Sequence, residues 1–130
     1  MNHVMDVKIY YEDTDCGGVV YYANYLRYME RARTEYLASR GCEVKKLMVE
    51  GTIFMVLRVE IDYKAPARYG DTLEIETWVS DVSRVTMVFH HTMKGKTSGK
   101  VFVECMAKLV YVDPNGRPRR LPEAYVEKLT

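Results

Sequence analysis

The sequence predicts an α+β domain in which an antiparallel sheet of about five strands curls round one long central helix. Three observations carry this. Apolar residues recur every three or four positions at Tyr22, Tyr25, Leu26, Met29, Ala32, Tyr36 and Leu37, as on one face of a helix. From Thr52 onward the period falls to two: Val59, Ile61 and Tyr63 alternate with Arg58, Glu60, Asp62 and Lys64, and Leu73, Ile75, Thr77 and Val79 with Glu74, Glu76 and Trp78. Ahead of the helix, β-branched Val7 and Ile9 with Tyr10 and Tyr11 read as one further strand. A single helix followed by consecutive strands favours an antiparallel sheet packed on that helix.

The helix is expected to begin between Tyr22 and Asn24 and to run to about Arg40, with Gly41 supplying a left-handed cap. About seventeen residues at ~1.5 Å each suffice to cross a small sheet. Its outer face carries Arg27, Glu30, Arg31, Thr34 and Glu35, where Arg27 with Glu30 and Arg31 with Glu35 are spaced to pair, each contributing roughly 0.2–0.5 kcal/mol. Glu43 to Glu50 suggests a short helical extension broken by Gly51. Ala65 to Asp71 and Ser80 to Arg84 are turn-rich links, Val85 to Met93 is a third long strand, and Lys94 to Gly99 a basic hairpin loop. Lys100 to Val112 is the fourth, ended by the turn Asp113-Pro114-Asn115-Gly116, and Pro122 to Leu129 closes the chain as a short helix opening on proline. One helix covers such a sheet incompletely and leaves its edges open, so pairing between subunits is expected.

At 130 residues the chain is one domain, residues 1–130. Nineteen basic and eighteen acidic residues give a net charge of +1, which excludes a global nucleic-acid or membrane-surface character. Cys16, Cys42 and Cys105 are odd in number and unrelated in spacing, and read as free thiols. The start of the chain enters a strand pattern with no leader-like segment, and no run approaches ~18 apolar residues, so a cytoplasmic location without a transmembrane segment is expected.

The chemistry concentrates in Tyr11-Glu12-Asp13-Thr14-Asp15-Cys16-Gly17-Gly18-Val19-Val20-Tyr21-Tyr22-Ala23-Asn24-Tyr25. A carboxylate-rich turn containing two glycines sits immediately before the helix. The first turn of a helix presents unpaired N–H groups and the positive end of the macrodipole, which can hold a carbonyl oxygen as negative charge develops on it. Asp15 would then supply the base or nucleophile. On the pattern alone a second reading stays open, in which Asp13, Asp15 and Asn24 only cap turns.

The block from Asp13 to Leu26, followed by Met29-Glu30-Arg31-Ala32-Arg33, resembles the signature of the hotdog-fold acyl-CoA thioesterases. Within them it is similar to the 4-hydroxybenzoyl-CoA thioesterase family, in the branch that accompanies the Tol-Pal cell-envelope system (YbgC-type). The resemblance implies hydrolysis of a small acyl-CoA, short-chain or aromatic, without a cofactor. It assigns Asp15 as the acid of an Asp-x-x-Gly motif, either nucleophile or general base, and the Tyr22 backbone N–H as oxyanion donor. Gly18 and Val19 in the turn, Met55 and Val56 along the acyl pocket, and Pro66 in a segment shaping the tunnel would contact substrate. Arg84 and the hairpin lysines Lys94 and Lys96 would meet the coenzyme A phosphates. A homodimer or homotetramer, with acyl-carrier protein as a further partner, completes the expectation. Relatives usually carry histidine at the position of Tyr22, which leaves the backbone role intact and puts any imidazole relay in doubt.

The chemistry itself is undemanding, because a thiolate leaving group with a thiol pKa of ~8.5 needs no strict general acid. Rival roles are weaker. Cys16 has no histidine nearby in sequence, and Glu12, Asp13 and Asp15 lack the remaining ligands of a calcium loop. His90 and His91 lie in a strand with rings on opposite faces, and no metal site follows. Two other functions fit the same fold: a non-catalytic acyl-CoA or acyl-carrier-protein binder, and a dehydratase, for which none of the three histidines stands in a matching motif.

Overall fold

A computed structural model describes residues 2–130. In chain order these form β1 (His3–Lys8), a 3-10 turn (Tyr11–Asp13), α1 (Asn24–Ser39), α2 (Val44–Val49), β2 (Ile53–Tyr63), β3 (Thr72–Ser80), β4 (Thr86–Gly95), β5 (Val101–Val112) and α3 (Glu123–Leu129). The strands make one antiparallel sheet in the order β1-β3-β4-β5-β2. β1 and β2 therefore occupy opposite edges, and the segment holding α1 spans the sheet between them. α1 approaches mainly β3 and β1, whereas β2 is approached by α2.

The core lies between α1 and the inward residues of the strands. Tyr25, Tyr28, Met29, Ala32, Tyr36 and Leu37 of α1 are buried against Leu73, Ile75, Met87, Phe89, Met93, Val103, Ala107, Leu109 and Tyr111. Period-two burial is clearest in β3, where Leu73, Ile75 and Thr77 are buried and Glu74, Glu76 and Trp78 are not. Gly41, at φ +76°, sits past the end of α1 in the left-handed region, and Cys42 N–H donates to Leu37 O at 2.8 Å, which satisfies an end carbonyl.

Three details differ from the sequence reading. Ladder pairing of β1 stops at Lys8, opposite Thr72. Beyond it Asp13 diverts the chain into the 3-10 turn, because its Oδ2 accepts the Tyr10 N–H at 2.8 Å and its own N–H donates to Tyr10 O at 3.0 Å. Tyr22 and Leu26, expected to face inward, are 63% and 46% exposed, while Tyr28 is 1% exposed. Tyr22 at the head of α1 instead packs its ring against Tyr63 of β2, with centroids 6.4 Å apart. Of the two helical ion pairs neither forms among the described residues: Glu30 Oε1 instead accepts the Thr34 hydroxyl at 2.8 Å, and Arg31 stands over the Tyr28 ring at 5.8 Å.

One polar pair is sealed in the core. Thr77 and His91 are register partners in β3 and β4, with Thr77 Oγ1 and His91 Nδ1 2.8 Å apart, and His91 Nε2 has no partner among the described residues. Burial, reinforced by nearby Arg33 and His90, holds the His91 pKa down to about 3. The unfolded chain takes up this proton near pH ~6.5, so stability is intact above that value and falls as pH drops from there toward 3. Between pH 7 and 4, urea unfolding of the wild type should therefore lose roughly 3 kcal/mol more than unfolding of the His91→Leu variant, which has no proton to gain. Parallel slopes for the two proteins would refute the assignment.

Candidate active site

Asp15 opens a tight turn that Gly18 completes. The Asp15 N–H donates to Val19 O at 2.9 Å and the Gly18 N–H to Asp15 O at 3.2 Å, with Gly18 at φ +79°, an angle that a side chain would strain. Bridges from Thr14 to Val20 and from Val19 to Arg68, with the Val20 N–H on Ala67 O at 2.8 Å, tie this turn to the link between β2 and β3. The Asp15 carboxylate is exposed and accepts the Gly17 N–H on Oδ1 at 2.7 Å.

Asp13 fastens the same turn to the helix. Its carbonyl oxygen accepts the Tyr21 N–H at 2.9 Å and the Asn24 side-chain amide at 2.8 Å. The Asn24 and Tyr25 N–H groups bond back to Tyr21 O and Tyr22 O at 2.8 and 3.4 Å. The N–H groups of Tyr22 and Ala23 donate to no acceptor among the described residues. Two donors thus stand free at the positive end of the α1 dipole, which suits them to a carbonyl oxygen gaining charge.

Beside them opens a cavity of about 340 Å³ lined by Val20, Tyr22, Tyr25, Tyr63, Lys64, Ala65 and Pro66. Tyr63 forms its wall from β2, with ring centroids 6.4 Å from Tyr22 and 5.7 Å from Tyr25, and its hydroxyl donates to Tyr22 O at 3.3 Å. Tyr25 Oη accepts the Ala67 N–H at 3.4 Å. Burial raises the pKa of Tyr25 and of Tyr63, so both hydroxyls keep their protons at neutral pH. An aromatic pocket walled in part by Tyr22, the residue at the head of α1, suits an apolar acyl group.

Among the residues singled out from sequence, Tyr22 and Pro66 line this cavity. Asp15, Gly18 and Val19 lie in the adjoining turn, outside the cavity wall of the single chain. Met55 and Val56 sit on β2 opposite Val110 and Leu109, each 45% exposed and outside the same wall. Met55 points to the other side of the sheet, where its Cε would lie 3.9 Å from a side chain placed on Gly116. The three basic candidates are dispersed. Arg84 is exposed in the link before β4, Lys94 pairs with Glu74 at 3.5 Å, and Lys96 pairs with Asp6. Tyr63, Lys64 and Ala65 were not foreseen. The signal for Tyr63 was its place as the last inward residue of the alternating run, ending in a ring that carries a hydroxyl.

Other chemistry finds little support. Cys16 is exposed in the turn without a histidine partner, and burial pushes the Cys105 thiol up to about 12 and raises that of Cys42. His90 faces outward, stacked on Trp78 at 5.4 Å with its Nε2 2.8 Å from Ser80 Oγ, while His91 faces the core. No group of three or more His, Cys, Asp or Glu among the described residues is placed to hold a metal. A larger depression of about 430 Å³ is walled in part by Glu60, Asp62 and Glu104, whose charge opposes an anionic ligand.

The chain is similar to proteins of known activity and structure. Over 121 residues it is 40% identical to the acyl-CoA thioester hydrolase YbgC of Escherichia coli, covering 92% of this chain and 90% of that protein. Over 92 residues it is 45% identical to the acyl-CoA thioesterase YbgC of Haemophilus influenzae, covering 70% and 68%. Its fold superposes on a crystal structure of a 4-hydroxybenzoyl-CoA thioesterase mutant complexed with 4-hydroxybenzoyl-CoA with a TM-score of 0.90, at 22% identity over 99% of both chains. The five-stranded antiparallel sheet with its long helix is thus the hotdog fold. With the model of the thioesterase-like superfamily matching residues 10–129, the chain belongs to that superfamily.

Proposed function

We propose that the protein hydrolyses the thioester of a small acyl-CoA, short-chain or aromatic, to the free acid and coenzyme A. The observation that carries this reading is the pair of free N–H donors on Tyr22 and Ala23, opening beside an aromatic cavity one short turn after the Asp15 carboxylate. The thioester oxygen would accept the Tyr22 N–H, and Asp15 would attack the carbonyl carbon or take a proton from the water that does. The acyl group would lie among Tyr22, Tyr25, Tyr63 and Pro66, with Gly18 and Val19 at the mouth. Arg84, Lys94 and Lys96 are retained as candidates for the coenzyme A phosphates. An acyl-carrier protein could present the same thioester, and three free thiols suit a reducing, cytoplasmic setting.

The working unit on this reading is a homodimer, the basis of any larger homotetramer. β2 is an eleven-residue strand at the sheet edge, with Met55, Val56 and Leu57 at 45%, 45% and 55% exposure. A long apolar edge of this kind is normally covered. A second copy there would bring further wall to a cavity that Asp15, Met55 and Val56 leave incomplete in one chain.

That incompleteness also favours a second reading, a binder of acyl-CoA without turnover. Thiol release from a panel of short-chain and aromatic acyl-CoAs separates the two. Wild type should release thiol from at least one member, and Asp15→Asn should lower kcat by about 10²–10⁴ while the substrate still binds. Binding without release by wild type would establish the second reading, and an undiminished rate for Asp15→Asn would remove that residue from the chemistry. Asn24→Ala cuts the tie between Asp13 O and the head of α1. It should cost about 1 kcal/mol of stability and lower kcat with little change in KM, because the turn loosens while the acyl pocket stays intact.

A further inference from the structure

The two free donors at the head of α1 belong to neighbouring peptide groups, and the carbonyl oxygens of those groups are held unequally. The Tyr22 N–H shares its peptide with Tyr21 O, which accepts the Asn24 N–H at 2.8 Å. The Ala23 N–H shares its peptide with Tyr22 O, where the backbone bond from the Tyr25 N–H is stretched to 3.4 Å. A second donor reaches that oxygen from the far end of β2, the Tyr63 hydroxyl at 3.3 Å. The ring that carries it packs edge-on against two others, with centroids 6.4 Å from Tyr22 and 5.7 Å from Tyr25, which restricts where the hydroxyl can lie. Burial raises the Tyr63 pKa, so at neutral pH the hydroxyl keeps the proton it donates.

We infer that Tyr63 is a positioning residue for the proposed hydrolysis. Its hydroxyl, bonded to Tyr22 O, aims and polarises the Ala23 N–H as a second donor to the thioester oxygen. The inference rests on the catalytic reading above and adds to it a side chain that acts through a peptide group. Such a group is planar and conjugated, so a donor on its oxygen fixes the direction of its N–H and draws charge from the nitrogen. Hydrogen bonds linked in this way strengthen one another by roughly 10–30% each. The Tyr22 N–H has less need of such help, since its own peptide is tied by the short bond from Asn24. Aim matters because an oxyanion donor must already point to where charge develops when the reaction begins. The rival role for Tyr63 is that of cavity wall alone, which needs its ring and not its oxygen.

Tyr63→Phe removes the oxygen and keeps the wall, so it separates the two roles. With the panel acyl-CoA that wild type cleaves fastest, kcat should fall about three- to tenfold while KM stays within about twofold, a smaller loss than removal of a direct oxyanion donor causes. Tyr63→Ala should raise KM as well, since the wall itself is lost. In the free protein, NMR of isotope-labelled tyrosine carbonyl and backbone amide groups should show the Tyr22 carbonyl and the Ala23 amide shifted in Tyr63→Phe. The Tyr21 carbonyl and the Asn24 amide should stay in place, and the dispersion of the same spectra reports folding. Unmoved Tyr22 and Ala23 signals would overturn the inference. So would a wild-type kcat for Tyr63→Phe, or a rise in KM with kcat unchanged. Failure of the catalytic reading shows separately, as a wild type that releases no thiol, whereas failure of this inference alone leaves wild type active and Tyr63→Phe as fast.

Discussion

A sheet of five antiparallel strands is wider than one helix can cover, and much of this molecule follows from that mismatch. α1 lies mainly over β3 and β1, on the side where Leu73, Ile75 and Phe89 receive Tyr36, Met29 and their neighbours. The β2 side is approached by α2 and by the ring contacts of Tyr22 and Tyr25 with Tyr63, and is less fully covered. On this side lie exposed Leu26, Val56 and Leu57, a half-buried Arg33 with no ion pair among the described residues, and two helix-start N–H groups with no protein acceptor among them. The exposed apolar side chains are the unfavourable part for a lone chain in water, whereas the N–H groups there are hydrated. Together they lie where substrate and a second subunit are proposed to bind, so the cost of leaving them open is offset only in the occupied state.

The turn proposed to carry the chemistry solves a narrower problem, which is to keep a carboxylate and a helix terminus in fixed relation without a shared element of secondary structure. Asp13 does this through its backbone. One carbonyl oxygen receives both the Tyr21 N–H and the Asn24 amide, so strand exit, turn and helix start converge on one acceptor. The pairing of Val19 and Val20 with Arg68 and Ala67 anchors the other side. Because the donors at the helix head are main-chain groups, the tyrosine at position 22 costs that role nothing. The ring is free to serve as cavity wall, packed on Tyr63.

What could be read from sequence divides along the same line. Local signals were legible. The step from period two to period three or four placed α1 to within about a residue, Gly41 marked its end, Pro122 opened α3, and His90 and His91 fell on opposite faces as alternation requires. Contacts set by long-range register were not. Tyr63 meets Tyr22 across 41 residues, and only the pairing of β2 with β5 decides that its ring ends beside the helix head. Met55 and Val56 are consecutive partners of Val110 and Leu109 in a regular part of the ladder, so their side chains point to opposite faces of the sheet and cannot both serve one pocket from a single chain. Arg33 stands outside the outer-face set Arg27, Glu30, Arg31, Thr34 and Glu35 that the sequence suggests. Its burial depends on α2 and β2 arriving from later in the chain.

The exposure of Asp15 is the last point that this architecture accounts for. A carboxylate open to water is a poor partner for a thioester, since solvent competes for it and weakens each electrostatic contact at the site. The same side chain beneath a second subunit would act in a drier pocket, where the Tyr22 and Ala23 donors also gain strength. Its backbone position is already fixed, because the Asp15 N–H on Val19 and the Gly18 N–H on Asp15 O hold the turn without help from a partner. What the single chain lacks is enclosure, and the apolar edge of β2 lies at the seam from which enclosure would come. On the proposed reading catalytic competence is therefore coupled to association. The residues that chemistry needs are preset within each subunit, and the environment that makes them effective is assembled between two.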